Sequence, residues 1–116
     1  MQVSKAFVAV AVAATVGAVA PPATAQSGPS FSCAKARSWV ERTICGDPVL
    51  ADKDQRMAQA YRGLLEEARE GGGPGTDLSN FRNDQRAWLR RRDQCRTRAC
   101  LHRLYDRRID DLTVDY

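Results

Sequence analysis

Asp54 is the residue whose type and position most invite chemistry, because it stands where its neighbours are apolar. In the stretch PVLADKDQRMAQAYRGLL, Pro48 to Leu65, steps of four and three from Leu50 reach Asp54, Met57, Tyr61, Leu64 and Ala68, the spacing of a single buried helix face. A carboxylate in such a row costs several kcal/mol unless a partner is supplied. Two readings fit it: a general acid or base inside a cleft, or one half of a buried pair. A second row, Leu78, Phe81, Gln85, Trp88, Arg92 and Cys95, is interrupted in the same way by Gln85 and Arg92. If the rows face each other, Asp54 meets Arg92, and an acid held by arginine is a poor proton carrier. The pair then belongs to the architecture.

The other reactive groups are few. His102 is the single histidine of the chain, so no histidine metal cluster and no evident nucleophile and base pair can be assembled, and its neighbours Leu101, Arg103 and Arg98 make it an ordinary surface or partly packed side chain. Glu66, Glu67 and Glu70 fall at the end of a solvated helix and read as surface charge. Catalysis, a metal and a cofactor are therefore not expected.

The elements that position these residues begin after a leader. Lys5, the apolar run AFVAVAVAATVGAVA and the small residues Ala23-Thr24-Ala25 have the layout of a secretory signal peptide over residues 1–25, with cleavage before Gln26. The run is short and alanine-rich for a membrane span, and no cysteine follows it for lipid attachment. The expected location is periplasmic or secreted, without stable membrane insertion after cleavage. Residues 26–32 read as a flexible lead-in and 33–116 as one helical domain.

Removal of residues 1–25 leaves 91 of the 116 residues, too few for a large core. Cys33, Cys45, Cys95 and Cys100 supply the support, since an even count in an oxidising compartment argues for two disulfides. Of the three pairings, Cys33 with Cys45 and Cys95 with Cys100 is preferred because each closes a short loop around a turn signal. The spacings fit no zinc finger or ribbon.

Helix signals punctuate the chain. Ser38 and Glu41 form a capping box, CGDP ends that short helix at Gly46, and Asp47 with Pro48 starts the next, which runs to about Glu70 before GGGPG. A third helix opens near Thr76 or Asp77. After a turn around CRTRAC, a fourth presents Leu101, Leu104, Tyr105, Arg108 and Leu112 on one side. No segment alternates with period two. The expectation is an all-α fold, a small disulfide-linked helical bundle with a long antiparallel hairpin and short flanking helices. Asp54 and Arg92 lie at similar distances from Gly73 at the turn, which puts them at one height; the guanidinium is expected to meet the carboxylate with both prongs, with Gln85 or Tyr61 completing the hydrogen bonds.

The charge is uneven. The whole chain carries 18 Lys and Arg against 14 Asp and Glu, yet Arg82 to Arg108 holds ten arginines against Asp84, Asp93 and Asp106. A basic half invites an anionic partner, although a solvated helix surface is the commoner cause.

Three stretches together spell a family pattern. SFSCAKA, VERTICGDPVLADKDQRMAQAY and QRAWLRRRDQCRTRACLHRLYDRRIDDL contain E-x-x-I-C-x-D-P, L-A-x-x-D with a later tyrosine, and Q-x-x-W-L-x-x-R-D-x-C, in that order. Over Ser30 to Leu112 the chain resembles the LprI-like lysozyme inhibitor domain family. The resemblance implies a helical, disulfide-linked envelope domain that binds and blocks lysozyme. The residues carrying it, including Cys33, Glu41, Cys45, Asp54, Tyr61, Gln85, Trp88, Arg92 and Cys95, are those already assigned to caps, disulfides and the buried seam.

For an inhibitor, the natural protrusion is EGGGPGTD, Glu70 to Asp77. Gly71, Gly72, Gly73, Pro74 and Gly75 permit close backbone approach, and Arg69 or Arg82 beside them is placed to meet catalytic carboxylates. The alternative class is a binding module for anionic envelope polymer or lipid carried by Arg90, Arg91, Arg96, Arg98, Arg103 and Arg107, or else a structural partner of another envelope protein. Nucleic acid is not expected, since export separates the chain from it and no aromatic-basic reading motif is present.

Overall fold

Four α-helices and one 3-10 turn make up the computed structural model, which describes residues 9–14, 17, 28–71 and 78–113. The 3-10 turn is Cys33–Lys35; the helices are α1 (Trp39–Gly46), α2 (Pro48–Glu70), α3 (Leu78–Asp93) and α4 (Arg98–Thr113). Among the described residues there is no strand. Most of the expected leader, the loop residues Gly72, Gly73, Pro74 and Gly75, and the expected opening of the third helix at Thr76 or Asp77 lie outside the described residues.

The helix boundaries follow from the caps. Ser38 Oγ accepts the Glu41 amide at 3.0 Å, while the Glu41 carboxylate takes the Ser38 hydroxyl at 3.1 Å, so the capping box closes side chain to side chain. Asp47 Oδ1 accepts the amides of Val49 and Leu50 at 3.0 and 3.2 Å, and Pro48 follows at the first helical position, where its missing N–H costs nothing. Two disulfides clamp the turns: Cys33–Cys45 ties the 3-10 turn to α1, and Cys95–Cys100 spans the bend between α3 and α4, with Cα separations of 5.8 and 5.6 Å.

α2 is the central strut. α3 returns antiparallel to it, as shown by the stacked pair Tyr61–Phe81 at 5.0 Å, the contact of Gln85 with Met57, and the approach of Arg92 to Asp54. The most extensive neighbour of α2 is nevertheless α4, folded back along it by the stapled bend. The core consists of Val40, Ile44, Leu50, Met57, Trp88, Cys95, Leu101, Tyr105 and Leu112, with the rings of Trp88 and Tyr105 meeting edge to face at 5.1 Å. Asp54, only 1% exposed, is enclosed where α2, α3 and α4 converge.

Candidate functional site

The two interrupted rows do meet around Asp54, but with different partners from those the row spacing suggests. Oδ1 of Asp54 accepts the Tyr105 hydroxyl at 2.7 Å, and Oδ2 accepts both the backbone amide and the hydroxyl of Ser30, at 2.7 and 2.6 Å. Arg92 Nη1 stands 4.0 Å from Oδ1, an electrostatic neighbour without a hydrogen bond. The expected two-pronged match is therefore corrected. The Nε and Nη2 of Arg92 go to Oδ1 of Asp93, at 3.0 and 2.8 Å, and Nη1 donates to the Tyr105 oxygen at 3.4 Å. The physical reason is reach: Tyr105 projects from α4 into the space between the two groups and satisfies Asp54 first.

Gln85 and Tyr61 do not complete the Asp54 shell either. Gln85 donates to the Met57 sulfur at 3.3 Å and accepts Arg108 Nη2 at 2.7 Å. Arg108 also reaches Asp84 at 3.0 Å and lies over the Trp88 ring at 5.9 Å, so a second buried cation is held beside the first cluster. Tyr61 is half-buried and spends its ring on Phe81. Ser30, which falls in the expected flexible lead-in, is anchored by Asp54, and the neighbouring Pro29 carbonyl accepts Gln55 Nε2 at 3.2 Å. Tyr105 and Arg108 were visible in sequence as polar members of an apolar row; Ser30 had no such signal.

The electrostatics fix protons in place. Burial, followed by the charge of Asp54, drives the Tyr105 pKa far above the ordinary tyrosine value, so the phenol stays protonated and keeps donating. Burial disfavours the Arg92 cation, but Tyr105 and the Asp93 carboxylate beside it outweigh that and leave its pKa raised. At the start of α2, burial works against the Asp47 carboxylate, yet the amides of Leu50 and Val49 and the nearby His102 and Arg98 hold its pKa below the usual value. His102 Nε2 lies 3.6 Å from Asp47, and Nδ1 lies 3.1 Å from Lys53 Nζ, which pairs with Asp106 at 2.7 Å.

A cleft of about 350 Å³ opens beside the cluster, lined by Ser30, Phe31, Met57, Tyr61, Gln85 and Arg92 among others. The Phe31 ring covers the Arg92 guanidinium at 5.8 Å. The Asp54 carboxylate, the Tyr105 hydroxyl and the Arg92 guanidinium each have partners within the protein, whereas Arg108 Nε is buried without a hydrogen-bond partner. Among the described residues there is no cluster of metal-ligating side chains, and no helix is long and apolar enough to cross a membrane.

The other sequence candidates are scattered. Arg69 is exposed in the last turn of α2, Gly71 caps it, and Arg82 is exposed early in α3; these flank the loop whose central residues lie outside the described set. Of the arginine-rich half, Arg91, Arg103 and Arg107 line one groove, Arg96 lines another beside Trp39, and Arg98 lies 3.9 Å from Asp47.

Together the fold and site define a small disulfide-linked helical domain whose polar centre is bonded to its own chain and borders a cleft. The chain belongs to the lysozyme inhibitor LprI family, whose model matches residues 33–112, from the first disulfide cysteine almost to the end of α4. No curated protein and no solved structure matches it.

Proposed function

We propose that the protein is an exported domain, with residues 1–25 as its signal peptide, that binds lysozyme and blocks it without catalysis. The observation that carries this reading is the family match over residues 33–112, which takes in both disulfides and nearly all of the helical body. The buried polar cluster supports it from another side, because groups bonded to one another hold a scaffold rigid and leave recognition to the surface. The inserted element in this reading is the Gly71–Gly75 loop, with Arg69 and Arg82 at its base offering guanidinium groups to the paired carboxylates of a lysozyme cleft. Glu66, Glu67 and Glu70, exposed on the same end of α2, add the negative charge that a basic animal lysozyme attracts.

The test is an inhibition assay against chicken-type, goose-type and invertebrate-type lysozymes, with the wild type and a variant whose Gly71–Gly75 loop is cut to a tight two-residue turn. Inhibition is expected to weaken by about tenfold or more, equivalent to ~1.4 kcal/mol, while the melting temperature hardly moves, because a loop tip contributes little packing. Unchanged inhibition by the shortened variant removes the loop from the interface. Absence of inhibition by the folded wild type in all three classes overturns the reading.

A further inference from the structure

Arg91 in the last turns of α3 and Arg103 and Arg107 on α4 converge on a groove of about 360 Å³. Arg103 and Arg107 are four residues apart on one helix and so share a face, while Arg91 comes from across the bend. None of the three makes an ion pair among the described residues. Asp93 and Asp106 are engaged elsewhere, with Arg92 at 2.8 Å and with Lys53 at 2.7 Å, and no carboxylate lines the groove. Like charges gathered without a counter-charge repel one another, and an anion seated among them relieves that repulsion.

The rest of the lining is uncharged, with Gln94 as its one polar side chain. Leu104 and the Cys95–Cys100 disulfide share the groove with the guanidinium groups. A free inorganic anion gains nothing from those surfaces, whereas an amphiphile gains twice, through its phosphate on the arginines and its hydrocarbon on the leucine and sulfur atoms. The disulfide also fixes the bend that joins α3 to α4, so the backbone positions that carry the three arginines are set before anything binds.

We propose that the groove of Arg91, Arg103, Arg107, Leu104 and the Cys95–Cys100 disulfide is a docking site for the phosphodiester headgroup of an anionic lipid surface. The site is separate from the Gly71–Gly75 loop and stands or falls independently of lysozyme binding. It brings the domain to a membrane face without a spanning helix, using a few arginines and one apolar contact.

Sedimentation with vesicles tests this directly, comparing phosphatidylcholine vesicles with vesicles that also contain phosphatidylglycerol. Binding is expected only to the anionic vesicles and is expected to weaken as salt is raised. The triple variant Arg91→Gln, Arg103→Gln, Arg107→Gln should bind about a hundredfold more weakly. A control triple, Arg37→Gln, Arg56→Gln, Arg86→Gln, removes the same charge from exposed positions outside the groove and should bind nearly as the wild type does. Circular dichroism confirms that both triples remain folded. Equal loss in the two triples reduces the effect to net charge and overturns the site. Titration with inorganic phosphate gives the remaining arm: binding as tight as that to the vesicles overturns the lipid assignment in favour of a simple anion site. Lysozyme inhibition by the groove triple should remain at the wild-type level.

Discussion

The Tyr105 hydroxyl donates to Asp54 Oδ1 at 2.7 Å, joining α4 to α2 across a span of 51 residues in a place where neither group meets water. This one bond explains why an aspartate is tolerated in an apolar row. It replaces water with a fixed donor, while Ser30 supplies two more donors from the chain ahead of α1. The carboxylate thereby gathers three segments, the lead-in, α2 and α4, at a single point. An apolar residue of the same size would leave three donors without an acceptor.

The raised Tyr105 pKa has a consequence for stability in alkali. Its folded-state value lies above the unfolded value of about 10, so below that pH both states hold the proton and the stabilisation is complete. As pH rises further, the unfolded chain loses the proton first, and stability falls by about 1.4 kcal/mol per pH unit until the folded-state pKa is passed. Urea unfolding at a series of alkaline pH values should show this slope in the wild type. The Tyr105→Phe variant, less stable at neutral pH by about 1.5 to 3 kcal/mol, lacks that contribution, so its deficit should narrow as pH increases. A constant deficit would refute the linkage.

The two disulfides are expected to contribute unequally. Chain-entropy arguments give about 3 kcal/mol for the bridge that closes the longer loop and about 2 for the shorter one, the sequence separations being 12 and 5. Cys33–Cys45 also holds the segment that delivers Ser30 to Asp54 and Phe31 to Arg92. Replacing Cys33 and Cys45 by alanine should therefore lower stability more than the entropy alone predicts. Restored exchange of the Ser30 amide, measured by hydrogen exchange, is the accompanying sign.

Much of this was legible in the residues because the signals were local. Asp47-Pro48, Ser38 with Glu41, and the cysteines on either side of short turns all act within a few residues, and the interrupted rows marked Asp54, Gln85 and Arg92 as buried. What could not be read was which helix would lie along α2. Equal distances from the glycine-rich turn pointed to α3, and α3 does run antiparallel there, but the stapled bend at Cys95–Cys100 swings α4 in and lets Tyr105 reach Asp54 before Arg92 does. Ser30 was hidden for a different reason. Its amide is a backbone group without a sequence signal, and its hydroxyl lies ahead of the first helix, outside any periodic row.

Gly63 offers a test confined to α2. It is exposed in the interior of the helix, and a methyl group added there meets nothing within 4 Å. Gly63→Ala should raise stability by about 0.5 to 1 kcal/mol, through the lower freedom of the unfolded chain. An unchanged or lowered urea midpoint would contradict the exposed helical placement of this residue.

Variants at Asp54, Arg92 and Tyr105 distinguish an isolated pair from a cluster. If Asp54 and Arg92 were simply ion-paired, Asp54→Leu with Arg92→Leu would restore most of the loss caused by either change alone, because two apolar groups can fill the space of a buried pair. The observed bonds predict otherwise. Arg92→Leu leaves Asp54 with Tyr105 and Ser30, so it should be milder than Asp54→Leu, for which about 3 to 5 kcal/mol is expected. The double variant still strands the Tyr105 hydroxyl and the Ser30 amide, and it should recover less than half of that loss. Adding Tyr105→Phe removes one stranded donor and should return about 1 to 3 kcal/mol to the double variant, although the same change harms the wild type. This reversal of sign, read from urea unfolding of the four proteins, is what a three-segment cluster demands; a Tyr105→Phe change that destabilises both backgrounds equally would restore the simple pair.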